Sequence, residues 1–137
     1  MKKILVAYDG GDPARRALET AAELAHLTGA TVSVVSVVPV HPGRIPVYPW
    51  DDVSTHTHEL IEARDLLLAK GIEPDLLKPT GEPASTIARI ADEGGLDTVV
   101  VGSRGLGLMS RVLQGSIFEH VAVVRGGSLA PAARVSW

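Results

Sequence analysis

The sequence predicts an α/β domain, a doubly wound and mostly parallel five-stranded sheet with helices on both faces. Three observations carry this. Ile4-Leu5-Val6-Ala7, the valine-rich stretch Thr31 to Val38, and Thr98-Val99-Val100-Val101 are apolar runs that read as strands buried on both faces. Between the first two lies a segment with helical spacing, so strand, helix and strand form a βαβ unit with a right-handed crossover. The order then continues as β-α-β-α-β, the pattern of a doubly wound sheet.

The elements follow in order. The first strand, Ile4 to Ala7, leaves through Asp9-Gly10-Gly11. Asp12 before Pro13 reads as an N-cap followed by a proline at the first helical position. Ala14, Ala17, Leu18, Ala21, Leu24 and Ala25 recur on one helical face, Arg15, Arg16, Glu19 and Glu23 fill the other, and Gly29 caps the end. The second strand lies within Thr31 to Val38. Residues 39–50 carry Pro39, Pro42, Pro46 and Pro49 and read as a long irregular loop, in which Tyr48 and Trp50 are candidates to cover a ligand or a partner, or to form a lid.

A second helix is predicted from about Asp52 to Lys70, with Leu60, Ile61, Ala63, Leu67 and Leu68 inward and Gly71 as its stop. A third strand falls within Glu73 to Lys78. Gly81-Glu82-Pro83-Ala84 starts a third helix whose inward stripe is Ala84, Ile87, Ala88 and Ala91, and Gly94-Gly95 ends it. After the strand Thr98 to Val101, Ile117 to Val124 reads as a fourth helix and Ala132 to Trp137 as a fifth strand. The alternative makes Val121 to Val124 that strand.

With 137 residues, the chain is expected to be a single domain over residues 1–137, with 45% hydrophobic residues and a net charge of −3. Such a charge speaks against a nucleic-acid surface, and the absence of cysteine excludes disulfides and thiolate zinc sites. The run after Met1-Lys2-Lys3 is too short for a signal peptide, and no run approaches the roughly 18 apolar residues of a membrane span. A cytoplasmic protein without membrane or nucleic-acid partners is expected.

The chemistry concentrates after the fourth strand. Gly102-Ser103-Arg104-Gly105, with Gly107 beyond it and then Gly115-Ser116, follows a buried strand into a glycine turn. Glycine lets a ligand approach the backbone closely, and successive N–H groups in such a turn, with a following helix N-terminus, make an anion site. A phosphate chain is the natural guest. Asp9, Val37 to Pro39 and Gly102 all fall at strand carboxyl ends, where such sheets bind ligands.

These residues resemble the universal stress protein family. Its nucleotide-binding branch has the signature Gly-x2-Gly-x9-Gly-(Ser/Thr), matched here by Gly102, Gly105, Gly115 and Ser116. Ile4-Leu5-Val6-Ala7-Tyr8-Asp9-Gly10 matches its opening strand, and Gly81-Glu82-Pro83-Ala84 its third-helix start. The resemblance implies an adenine-nucleotide α-hydrolase-like fold and binding of ATP. Ala7, Asp9 and Val37 match positions that line adenine and ribose, and Gly102, Gly105, Gly115 and Ser116 those that hold the phosphates; Tyr8, Val101, Ser103, Arg104 and Ile117 complete the expected nucleotide-binding set. Asp9 is also placed to hold Mg²⁺ carried with the nucleotide. A homodimer is implied, although residues 123–137 depart from the family's apolar final strand, and Gly11 stands where the family usually has serine.

Each residue also has a plainer reading. Asp9 can cap N–H groups of its own turn, Arg104 can be a solvated loop residue, and glycine turns often mark only tight connections. His41, His56 and His58 do not form a metal pattern, because His56 and His58 are two apart and face different sides of a helix. No catalytic residues are assigned, since the chain has no Gly-x4-Gly-Lys-(Ser/Thr) motif and no evident base beside the glycine turn. The expected function is a nucleotide-dependent regulatory or stress-response module. The alternatives are a slow ATPase or self-phosphorylating protein, with Ser116 or Ser103 as acceptor, and a partner-binding module that has lost its nucleotide.

Overall fold

In a computed structural model, the residues described are 1–39, 49–102, 120–125, 128–129 and 133–134. The strands are β1 (Lys3–Ala7), β2 (Thr31–Val35), β3 (Val38–Pro39), β4 (Asp75–Leu77), β5 (Thr80–Gly81), β6 (Thr98–Gly102), β7 (His120–Arg125), β8 (Ser128–Leu129) and β9 (Ala133–Arg134). The helices are α1 (Asp12–Thr28), α2 (Pro49–Leu68) and α3 (Pro83–Gly94).

Five strands pair in parallel in the order β4-β2-β1-β6-β7. β8 and β9 pair antiparallel with β7. Beyond the carboxyl ends of β2 and β4, β3 and β5 form a second, two-stranded parallel sheet. Sequence and structure therefore agree on a doubly wound parallel sheet.

Side chains alternate between two cores. Ile4, Val6, Val32, Val34 and Val100 pack with α1 (Ala17, Leu18, Ala21) and α2 (Leu60, Ala63, Leu67) on one face. Leu5, Val35, Val99, Val101 and Val121 pack with Ile87, Ala91 and Leu96 on the face covered by α3. Period-two alternation of largely apolar strands explains why both faces carry buried side chains.

The helix ends show how the chain sets these elements. α1 starts one residue earlier than its proline suggests. Gly11 occupies the N-cap, so no side chain caps the helix, and Asp12 is the first helical residue, where its charge favours the positive helix end. The expected Asp12 cap is therefore corrected. Gly29 ends the helix in the left-handed region at φ 75°, its N–H bonded to the Ala25 carbonyl at 2.8 Å. α3 is capped by Glu82, whose carboxylate accepts from the Ser85 N–H at 2.8 Å and the Ser85 hydroxyl at 2.7 Å.

Three further expectations change. Val121 to Val124 belongs to β7, in register with β6 from Thr98↔His120 to Gly102↔Val124, and is not the end of a helix. Its β-branched run finds a parallel partner there, and that pairing outweighs the helical reading. Ala133 and Arg134, expected in the fifth parallel strand, instead fold back antiparallel onto β7. Helix α2 begins at Pro49, so Pro49 and Trp50 leave the predicted loop, and Pro39 joins a short strand. Residues 40–48, with Tyr48 and His41, lie outside the described residues. On α2, Leu60, Ala63 and Leu67 are buried as expected, but Ile61 and Leu68 are 39% and 48% exposed, because they lie to the side of the buried stripe.

This difference is measurable by urea denaturation. Leu67→Ala empties a fully buried site and should cost about 2–5 kcal/mol. Leu68→Ala, one residue on, should cost no more than about 0.5 kcal/mol.

Candidate functional site

The strand order reverses at β1. The chain runs outward through β2 and β4, then α3 returns it to β6 on the other edge of β1. A crevice at the carboxyl ends of strands at such a point is where open α/β sheets bind ligands. The register Val6↔Val100 carries on to bring Ala7 level with Val101 and Tyr8 level with Gly102.

The β1 exit is a tight turn. Gly10 sits at φ 81°, which a side chain would resist, and Asp9 Oδ1 accepts the Gly11 N–H at 2.9 Å. The plainer reading of Asp9 is thus met by one oxygen, while Oδ2 has no partner among the described residues and the side chain is exposed. Opposite, Gly102 is held by packing. A Cβ there would come within 2.5 Å of the Pro13 carbonyl carbon and 2.7 Å of its Cβ. Only a glycine lets β6 end against the first turn of α1. That turn lacks a side-chain cap, so no side-chain oxygen satisfies the N–H groups at the positive end of the helix. A carboxylate oxygen, a bare glycine and an uncapped helix start suit the ribose and phosphates of a nucleotide.

The structure brings six of the sequence-predicted residues to this end. Ala7 and Val37 are partly covered on the α3 face, Asp9 is exposed, and Gly102 is buried. Tyr8 and Val101 are buried on opposite faces of the sheet. Ser103, Arg104, Gly105, Gly115, Ser116 and Ile117 lie outside the described residues.

Behind the crevice, α2 supplies a polar strip that sequence reasoning missed. The Tyr8 hydroxyl donates to Glu62, and Arg15 Nε donates to the same Glu62 oxygen at 3.0 Å. The Arg15 guanidinium also pairs with Asp12 at 3.0 Å. Burial first, and then the bond to Glu62, push the Tyr8 phenol above its ordinary range. The bonds from Tyr8 and Arg15 hold the Glu62 carboxyl below its ordinary range. One turn earlier, the Ser36 hydroxyl lies 2.5 Å from His56 Nδ1 and 2.9 Å from Glu59 Oε2. This is not a nucleophilic triad. Ser36 and Glu59 meet the same ring nitrogen, and Ser36 is only 2% exposed. The only signal in the sequence is the spacing of His56, Glu59 and Glu62 at i, i+3 and i+6 on one side of a helix.

Among the described residues, no three His, Asp or Glu side chains converge as a metal site. A groove of about 540 Å³ is lined by Lys3, Thr31, Ser33, Asp75, Leu77 and Ile90 among others. No helix among the described residues is long and apolar enough to cross a membrane.

Comparison with known proteins shows the family of the chain. The model of the universal stress protein family matches residues 1–123. A universal stress protein of Thermus aquaticus is 31% identical, covering 88% of this chain and 90% of the relative. Universal stress protein YxiE of Bacillus subtilis is 29% identical with the same coverage. Among solved structures, the universal stress protein from Archaeoglobus fulgidus in complex with dAMP superposes with a TM-score of 0.75 at 27% identity, covering 95% of this chain and 98% of that one.

Two measurements check the geometry. Gly102→Ala forces a Cβ into backbone that has little room to yield, and should cost about 1–3 kcal/mol in chemical denaturation. Glu62 has a folded pKa below its unfolded one, so its contribution is complete above the ordinary carboxylate range and is lost as pH falls through the folded value. Acid titration of the urea midpoint should therefore fall less steeply in Glu62→Gln than in the parent protein.

Proposed function

The chain belongs to the universal stress protein family, and from that footing we propose that it is an ATP-binding regulatory module acting through conformation or assembly. The observation that carries this reading is the crevice at the strand reversal. There the Asp9 turn faces Gly102, which is packed on the uncapped start of α1. A relative of the same fold, at 27% identity, is described in complex with dAMP, which supports an adenine nucleotide as the guest.

In this reading the base and ribose lie against Ala7, the Tyr8 backbone, Asp9 and Val37. The phosphates lie along Val101, Gly102, Ser103, Arg104 and Gly105, and reach Gly115, Ser116 and Ile117. Oδ2 of Asp9, which has no partner among the described residues, bonds the ribose or Mg²⁺ carried by the phosphates. Bound magnesium would offset phosphate charge, and Asp9 is the described residue placed to hold it. The module works as one domain over residues 1–137, in the cytoplasm. A homodimer joined through the outer edge of β7 would have to displace β8 and β9, which already pair there.

Slow hydrolysis or self-phosphorylation at Ser116 or Ser103 is the second reading. Phosphoryl transfer needs a metal, a cationic clamp and a positioned nucleophile together, and the sequence carries no Walker-type lysine motif. Release of labelled γ-phosphate above buffer, lost in Ser116→Ala, would favour it.

Thermal unfolding with AMP, ADP and ATP, with and without Mg²⁺, tests the main proposal. A nucleotide at 100-fold excess over Kd should add about 2.7 kcal/mol of stability. Asp9→Ala and Gly105→Val should abolish most of that gain. No shift with any adenine nucleotide at millimolar concentration would leave the partner-binding reading in its place.

A further inference from the structure

Glu59 stands where the two strand exits meet. Its Oε2 accepts the Ser36 hydroxyl at 2.9 Å and lies 3.3 Å from His56 Nδ1. On the other side, Glu59 Cγ lies beside Gly10, 3.6 Å from the point that a Cβ on that glycine would occupy. Gly10 directly follows Asp9, and Ser36 directly precedes Val37. One side chain therefore bonds the residue before Val37 and lies beside the residue after Asp9, the two positions that the nucleotide reading gives to base and ribose.

The proton count fixes the direction of these bonds. A carboxylate has no proton to give, so the single Ser36 hydroxyl proton goes to Glu59. The 2.5 Å contact between Ser36 Oγ and His56 Nδ1 must then be donated by the ring N–H. Each group depends on the other two, and all three are largely covered, with Ser36 at 2%, His56 at 20% and Glu59 at 17% exposed. Backbone bonds from Tyr8 N–H to the Val35 carbonyl, Ser36 N–H to Leu77 and Val38 N–H to Pro79 hold the exits within the sheet. The triangle holds them against α2. Along the same helix, Lys78 donates to Thr57, and Tyr8 and Arg15 donate to Glu62.

We propose that Glu59, held by Ser36 and His56, is a positioning residue that sets the spacing between the Asp9 turn and the Val37 segment and thereby the base selectivity of the crevice. This rests on the nucleotide reading above. Glu59 need not touch the nucleotide. It keeps two walls at a fixed separation, and reading a base needs that separation held within a fraction of an ångström.

Two measurements on the full chain test it, using Glu59→Ala and Glu59→Gln. Glutamine keeps both the stem against Gly10 and an acceptor oxygen for Ser36, whereas alanine removes both. In ligand-free protein, amide hydrogen exchange at Gly10, Gly11, Ser36 and Val38 should quicken in Glu59→Ala while Leu5 and Val6 stay protected, with Glu59→Gln close to the parent. Uniform quickening everywhere, or no change, overturns the positioning role. In calorimetric titrations, the parent should prefer AMP over GMP, Glu59→Ala should narrow that preference about tenfold, and Glu59→Gln should restore it. An equal loss for both nucleotides, or a parent with no preference, overturns the selectivity claim. A parent that binds neither refutes the nucleotide reading instead, and hydrogen exchange still decides whether Glu59 pins the exits. Where Glu59→Ala does not fold, Ser36→Ala, which loses one hydroxyl, takes its place in both measurements.

Discussion

The carboxyl end of this sheet depends on β1 being paired in parallel on both edges. Its partner on one side leads into Ser36 and Val37, and its partner on the other ends at Gly102. The three-residue exit Asp9-Gly10-Gly11 must serve both sides and still start α1 within the same turn. Gly102 makes this feasible, since any side chain there would push Pro13, and with it the helix, away from the strand ends. Core packing and crevice geometry share these atoms. A change that loosens one is felt in the other.

Helix α2 closes the arrangement from behind. Its apolar stripe of Leu60, Ala63 and Leu67 sits in the core, and its flank of His56, Glu59 and Glu62 reaches the exits of β1 and β2. Buried apolar contact holds the helix down without specifying its register along the sheet. The directed bonds to Ser36 and Tyr8 do specify it, because a displaced helix would leave covered polar groups without partners. At the far edge, β8 and β9 take up β7's open side, which protects the sheet from chance pairing.

The sequence made much of this legible, for physical reasons. β1, β2, β6 and α1 combine strong periodicity with glycine or proline at their boundaries, so local preference and tertiary structure agree. Val121 to Val124 did not, because a short apolar segment fits helix and strand alike, and the parallel pairing with β6 decides the matter. The misplaced N-cap at Asp12 was a one-residue error, invited by a proline that tolerates either of the first helical positions. Ile61 and Leu68 show that apolar residues on a helix flank need not reach the core. At the site, Asp9, Val37 and Gly102 reached one end of the sheet as strand order alone requires. The Ser36, His56 and Glu59 triangle stayed hidden, since it depends on which face of α2 meets the end of β2.

The central claim is that an adenine nucleotide binds at the reversal of strand order. Backbone amide chemical shifts, followed while AMP is titrated into ¹⁵N-labelled protein, test it most directly. The account predicts saturable shifts at Asp9, Gly10, Gly11, Val37 and Gly102, with Lys3, Thr31 and Asp75 at the opposite end of the sheet unmoved. Shifts confined to that opposite end, or none at millimolar AMP, would contradict it.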